Sequence, residues 1–243
     1  MNIINGCNTD VGIKKPVNQD RILSSLFVQD SHYLFLGGIF DGISSLKDSE
    51  QVADLIKSRF QNWFEDYTSR IDLSQVDMEI VGCHLLDTLD EVEEDIYNMR
   101  QNGECNGGST ATIILILDSI YNVFHLGDSK LVLVKNGSAT QLTEDQTVLG
   151  SVNGITKYFL DNYMGKDVEC DYLKYSGQLE IGDCLFYGSD GFFGKTLPEE
   201  LLQLEQQITE QSSLDTVLSN HTEILKLRGE TDNISVGVFK VVI

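Results

Sequence analysis

Five aspartates carry the chemical signal in this sequence. They stand in Asn18-Gln19-Asp20, Phe40-Asp41-Gly42, Gly127-Asp128-Ser129, Ser189-Asp190-Gly191 and Thr231-Asp232-Asn233. Each has a small or polar neighbour and lies at the edge of an apolar run. Carboxylates without histidine or thiolate partners select hard cations such as Mg²⁺ or Mn²⁺. A glycine after an aspartate lets a backbone carbonyl approach a metal. Several carboxylates meeting from different strands repel one another unless cations neutralise them. Asp-Gly and Asp-Asn are also ordinary turn dipeptides, so residue type alone leaves both readings open.

The elements that must position these residues follow from apolar patterning. Ser31 to Phe40 is a short apolar and aromatic run ending at Asp41-Gly42, a buried strand delivering an aspartate to a turn. Thr110 to Leu117, Tyr121 to Leu126 and Leu131 to Lys135 read as three successive strands. Asn136-Gly137 closes the last of them as a hairpin turn. Cys184 to Gly188 and Ile234 to Val242 are further strands. From Asp48 onward, Val52, Leu55, Ile56, Phe60, Trp63 and Phe64 share a helix face. Asp48 and Gln51 resemble a capping box at its start. A second helix is expected from about Ser74 to Met99, with Gly103 as its stop. Pro198 suits the first turn of a third helix, and Ser212 is expected to cap a fourth. Strands, two helices, many strands and then more helices do not make a regular βαβ alternation. The order indicates an α+β fold with antiparallel sheets covered by helices.

Composition narrows the function classes. The chain has 243 residues, 17 Lys and Arg against 38 Asp and Glu, and a formal net charge of −21. Nucleic-acid phosphates and anionic membrane faces repel such a surface. Hydrophobic residues make up 41% and charged residues 23%, enough apolar material for a substantial core. The five cysteines, Cys7, Cys83, Cys105, Cys170 and Cys184, are dispersed without a C-x-x-C pair, which argues against a disulfide framework or a zinc knuckle. The N-terminus shows no signal-peptide pattern, and the longest apolar stretch, Ile113 to Leu117, is too short for a bilayer. Cytoplasmic residence is therefore expected. With two prolines and no linker or repeat, residues 1–243 are expected to form a single domain.

Read in order, the motifs resemble the PPM-type metal-dependent protein phosphatases, also called protein phosphatase 2C, and in particular their compact bacterial serine/threonine members. The matching segments are Thr9-Asp10-Val11-Gly12 through Val17-Asn18-Gln19-Asp20, Gly38 to Gly42, Gly108-Ser109-Thr110-Ala111 and His125 to Lys130. Leu142-Thr143-Glu144-Asp145, Gly182-Asp183 with Leu185 to Gly191, and Asp232-Asn233-Ile234-Ser235 complete the series. The resemblance implies a four-layer αββα sandwich, two central antiparallel sheets flanked by helices, with metals at one end. It implies two core Mg²⁺ or Mn²⁺ ions and a weaker third. Asp41 would bridge the core pair, with the Gly42 carbonyl on one ion and Asp190 and Asp232 completing the other. Asp20 would act through water, and Asp128 with Asp190 would hold the third. Phosphomonoester hydrolysis would proceed by attack of a metal-bridging water, with no phosphoenzyme. Ser109 and the cysteines are then not nucleophiles, and Ser109 is expected to pack or hydrogen-bond at a strand start.

The sequence departs from the family pattern in three places. An arginine that grips substrate phosphate is replaced by the run Ile13-Lys14-Lys15-Pro16, so Lys15, with Lys14 as the alternative, is the expected phosphate contact. A lysine in a solvated loop is the competing account. Ile43 stands where some relatives have a histidine, and it cannot donate a proton. The family's Asp-His-Ser is Asp145-Gln146-Thr147 here, followed by a shortened flap from Val148 to Tyr163, with Gly150, Asn153 and Gly154 suited to a mobile loop. The acidic run Asp90 to Asp95 reads as a solvated helix face.

The leading expectation is a monomeric phosphatase of phosphoserine and phosphothreonine proteins, opposing a serine/threonine kinase. The alternatives are a pseudophosphatase that binds phosphoproteins without turnover, and a phosphatase of small phosphoesters.

Overall fold

A computed structural model describes residues 2–152, 155–166 and 170–242. Two five-stranded antiparallel sheets stack face to face. The first has the order β1 (Asn2–Asp10), β12 (Ile234–Val242), β11 (Cys184–Gly188), β6 (Lys130–Lys135) and β7 (Ser138–Gln141). The second has the order β10 (Leu173–Gln178), β5 (Ile120–Leu126), β4 (Ala111–Leu117), β3 (His32–Phe40) and β2 (Arg21–Gln29). Helices α1 (Ser49–Thr68) and α2 (Met78–Gln101) cover the second sheet, and α4 (Pro198–Gln207) and α5 (Gln211–Leu227) cover the first. The short α3 (Asp190–Phe193) and a hairpin of β8 (Thr147–Val152) with β9 (Ile155–Leu160) complete the chain. This is the expected α+β sandwich.

Its layers follow from strand periodicity, because alternate side chains face opposite sides. On β3, Leu34, Leu36 and Phe40 pack under α1 and α2, while Tyr33, Phe35 and Ile39 face the other sheet. On β4, Ala111, Ile113, Leu115 and Leu117 turn to the helices, and Ile114 and Ile116 turn inward. On β12, Ile234, Val236 and Val238 meet α4 and α5, while Phe239 and Val241 enter the space between the sheets. Strands apolar on both faces are what a four-layer packing requires.

Several local expectations hold. Asn136 and Gly137 turn with φ of 53° and 74° between the paired Lys135 and Ser138. Gly103 ends α2 at φ 71°, with Glu104 N–H donating to the Met99 carbonyl and Gly103 N–H to that of Arg100, the Schellman arrangement. Asp90, Glu91 and Glu94 are exposed, while Asp95 pairs with Arg59 and Glu93 accepts from Tyr172 Oη.

Others are corrected. Asp48 makes no side-chain cap on α1; its φ is 69°, and its carbonyl accepts the Gln51 N–H instead. The helix expected from Ser74 begins only at Met78, because Asp77 caps it through the Glu79 N–H and leaves Leu73–Gln75 as a separate 3₁₀ turn. Ser212 lies inside α5, whose N-cap is Glu210. The segment after Asp145 is a paired hairpin rather than a loop, and Gly150 sits within β8 opposite Lys157; Asn153 and Gly154 lie outside the described residues. Strand β1 lacks a continuous apolar signal of its own. Asn5, Asn8 and Thr9 make β1 polar, and its ladder with β12 imposes the extended form.

Candidate metal centre

Antiparallel pairing brings the five aspartates to one edge of the sandwich. Asp41 follows the end of β3, and Asp20 precedes the start of β2, the strand paired with it at Arg21 and Phe40. Asp190 follows β11 and Asp232 precedes β12, again paired neighbours. Asp128 follows the end of β5, beside the start of β4. Each carboxylate therefore leaves a strand at the same rim, two sheets contributing to one cluster.

The electrostatics report that gathering. The Asp41 carboxyl is pushed well above the ordinary carboxylate range, by burial first and then by the charges of Asp20, Asp190, Asp128 and Asp232. Asp20 is raised to about 6, chiefly by burial, with Asp190 adding to it and the Ser235 and Ser189 hydroxyls opposing. Asp190 is also raised to about 6, by desolvation first and then by the charges of Asp128 and Asp232. Asp128 is raised by burial and by Asp145, with Lys130 opposing.

The donor set fits a hard divalent cation. It consists of carboxylate oxygens, it is short of positive charge, and it holds an orphan: Asp20 is 2% exposed and its Oδ2 has no hydrogen-bond partner. Among the described residues no three His, Cys or acidic side chains already stand as a closed ligand set. Asp232 is engaged by Lys15.

The supporting contacts are specific. Asp41 is held twice by Thr110, the residue before β4: its N–H donates to Thr110 Oγ1 at 3.0 Å, and its carbonyl accepts from the Thr110 N–H at 2.9 Å. Gly42 must be glycine, because a Cβ there would lie 2.8 Å from the Gln19 carbonyl oxygen. Gly127 carries a φ of 112°, and a Cβ there would lie 2.6 Å from Thr110 Cγ2, so the turn presenting Asp128 also needs glycine. Ser109 is fully buried and its Oγ bonds the carbonyls of Asp41 and Thr110, the strand-start role expected of it.

Lys15 reaches the cluster and Lys14 is exposed away from it. Lys15 Nζ lies 2.9 Å from Asp232 Oδ1 and 2.5 Å from Ser44 Oγ. Ile43 is half-buried, with its N–H on the Gly108 carbonyl. All five cysteines are free thiols. Burial raises Cys184 and pushes Cys170 to about 12, so neither supplies a thiolate near neutral pH.

Three contributors were not evident in sequence. Glu230 Oε1 accepts the N–H groups of Thr231 and Asp232, at 2.6 and 3.0 Å, and its charge raises Asp190. Ser44 meets Lys15, and Gln146 brackets Gly127. Glu230 had a weak signal, standing two residues before Asp232 in a Gly-Glu-Thr-Asp turn; the other two act on partners 29 and 19 residues away. A separate open cavity of about 570 Å³ between β1 and α5, lined by Cys7, Asn8, Asp215, Thr216, Ser219 and Asn220, contains none of the five aspartates.

Two stacked antiparallel sheets with an acidic, oxygen-donor rim define the class: an α+β protein with the donors for hard cations. Comparison with known proteins shows which proteins the chain is similar to. The Protein phosphatase 2C profile matches residues 50–149. A protein phosphatase 2C-type protein of Streptococcus pyogenes serotype M6 is 23% identical over 95% of this chain and 94% of its own length. Two solved structures share the fold: the serine/threonine phosphatase of S. agalactiae, with TM-score 0.80, 19% identity and coverage of 99% of this chain and 100% of that one, and that of Mycobacterium tuberculosis, with TM-score 0.72, 20% identity and 99% of each chain. The chain is thus similar to protein phosphatase 2C proteins, in sequence over residues 50–149 by the profile and in fold over nearly its whole length.

Proposed function

We propose that this chain is a Mg²⁺- or Mn²⁺-dependent phosphatase of phosphoserine and phosphothreonine in proteins. The observation that carries the reading is the convergence of Asp20, Asp41, Asp128, Asp190 and Asp232 from both sheets on one rim, with Asp41 at its electrostatic centre. Asp41, the Gly42 carbonyl, Asp190 and Asp232 would hold two core cations; Asp20 would support them, and Asp128 with Asp190 would take a weaker third. Bound cations of this kind supply Lewis-acid neutralisation of a phosphoryl group and an activated water.

The chain's own groups do the rest. Thr110 fixes the Asp41 backbone, so that carboxylate keeps its place as charge changes around it. Lys15, ion-paired with Asp232 at the rim, is the phosphate contact of this reading, with the exposed Lys14 as the alternative. It supplies charge without a bidentate fork. Ile43 offers no proton to the leaving alkoxide. Ser109 and the cysteines take no covalent part.

A protein substrate is favoured by the surroundings. Val148, Leu149 and Tyr158 are exposed on the β8–β9 hairpin, whose base is tied to Gly127 through Gln146. A small phosphoester needs no such apolar margin. A cognate serine/threonine kinase, a monomeric state and cytoplasmic residence belong to the same reading, the last supported by dispersed, unpaired thiols. Among the described residues no helix is long and apolar enough to cross a membrane, and a net charge of −21 is poorly suited to nucleic acid.

The test is phosphate release from a phosphothreonine peptide with Mn²⁺, comparing wild type with Asp190→Asn and Asp232→Asn. Release by wild type and its loss in both variants is expected. Equal release from all three overturns the site, and release only from small phosphoesters overturns the substrate class.

A further inference from the structure

Lys15 holds Asp232 by one of its two carboxylate oxygens. Asp232 Oδ1 takes the Lys15 ammonium at 2.9 Å and the Asn233 N–H at 2.9 Å. The ammonium is also bonded to Ser44 Oγ at 2.5 Å, so it lies between the turn after Asp41 and the turn before β12. It sets one positive charge against an acidic cluster in which Asp232 is among the charges that raise Asp41 and Asp190.

The loop carrying Lys15 is fastened. Asn233 Nδ2 donates to the Val11 carbonyl at 2.8 Å and to that of Val17 at 3.2 Å, and Asn233 Oδ1 accepts the Gln19 N–H at 2.9 Å. Both ends of the loop are therefore tied to the residue next to Asp232. The backbone stays at the rim, and the freedom left is that of the lysine side chain, a flexible four-carbon stem. Its side chain is 23% exposed and that of Asp232 38%, so the pair is held at the surface and is weak enough to exchange.

We infer that Lys15 is an exchangeable internal counter-ion of Asp232: a divalent cation displaces its ammonium from that carboxylate, and the released ammonium becomes available to an anionic substrate at the same rim. This rests on the function proposed above. Two cations competing for one carboxylate are coupled with negative sign, and the coupling is reciprocal. Removing the ammonium therefore tightens cation binding at Asp232, and adding the cation exposes the amine.

The experiment uses Mn²⁺ alone, with no substrate. Calorimetric titration of wild type, Lys15→Met and Lys15→Arg, alone and combined with Asp232→Asn, measures the competition. Circular dichroism confirms that each variant is folded. Lys15→Met is expected to bind Mn²⁺ roughly three- to tenfold tighter, as loss of an exposed ion pair allows. Lys15→Arg should stay near wild type, and the effect of Lys15→Met should vanish beside Asp232→Asn. In parallel, acetylation of surface amines read by peptide mass spectrometry should show Lys15 labelling rising several-fold on Mn²⁺ addition, with Lys14 unchanged. Unchanged or weaker Mn²⁺ affinity in Lys15→Met, or Lys15 labelling indifferent to Mn²⁺, overturns the exchange. If Mn²⁺ binding still depends on Asp190 in that case, the metal centre stands without it. A wild type that binds no Mn²⁺ overturns both.

Discussion

Gln146 clasps Gly127 from both sides. The Gly127 N–H donates to Gln146 Oε1 at 2.7 Å, and the Gln146 N–H donates to the Gly127 carbonyl at 2.8 Å. The side chain also donates to the Asp171 carbonyl at 2.8 Å. One residue thus joins the turn that presents Asp128, the base of the β8–β9 hairpin and the approach to β10.

Gln146→Ala is expected to cost about 1–3 kcal/mol, the penalty for leaving a backbone donor without its partner. The loss should fall on Asp128-dependent behaviour. Thermal melts give the stability, and the Mn²⁺ dependence of peptide hydrolysis should lose sensitivity at the weakest-binding phase while the tightest phase remains.

Asn233→Ala is expected to destabilise by roughly 2–3 kcal/mol, since it leaves the Val11 and Val17 carbonyls and the Gln19 N–H without side-chain partners. It should also raise KM for a phosphopeptide more than it lowers kcat, because it loosens the loop that carries Lys15. Urea melts and steady-state kinetics check both. A kcat loss at unchanged KM would assign Asn233 to Asp232 alone.

Gly42→Ala tests the close approach at the centre of the cluster. A Cβ would lie 2.8 Å from the Gln19 carbonyl oxygen and 2.9 Å from Gln19 Cβ, with the Ser49 backbone at 3.2 Å, so backbone must shift. A stability loss of about 2 kcal/mol or more is expected, on the scale of overpacked sites, with Mn²⁺ affinity reduced at least tenfold. Unchanged affinity in a folded variant would remove Gly42 from the metal centre.

Metal-free stability should run against the usual pH trend. Asp20 and Asp190 titrate near 6 in the folded chain, above the ordinary value of 3.8, and Asp41 moves the same way. The folded state therefore holds protons that the unfolded state has lost between those values. The stabilisation is complete below the unfolded value and is lost as pH rises through about 6. In excess chelator, Tm should fall by roughly 5 °C or more between about pH 5 and about pH 7.5, a shift worth one or two kcal/mol for a chain of this size. Saturating Mn²⁺ should reverse the slope, because cations bind the ionised carboxylates. Asp20→Asn should raise Tm in chelator and flatten the profile.

The five aspartates stood out in sequence because each lies next to a strand, and four of them flank β3, β5, β11 and β12, apolar runs bounded by turns. β1 did not, since its polar sequence is extended by pairing with β12 from the far end of the chain. Asp48 looked like a helix cap, but it takes a left-handed backbone and makes no side-chain cap bond. Ser44 and Gln146 could not be assigned from composition, because their roles lie in partners brought close only by the folded sheets. Lys15 was expected at substrate phosphate, and the fold places its ammonium on Asp232, a partner 217 positions away in numbering (232 − 15) that no local pattern announces.

The central claim is that Asp41, Asp190 and Asp232 form one cation-dependent hydrolytic centre. It is tested most directly by phosphate release from a phosphothreonine peptide, with and without Mn²⁺, in wild type and the Asp41→Asn, Asp190→Asn and Asp232→Asn variants. The account predicts release only with Mn²⁺, reduced at least a hundredfold in each folded variant, on the scale seen when a group stabilising the transition state is removed. Release that survives excess chelator, or that is undiminished in the three variants, would contradict it.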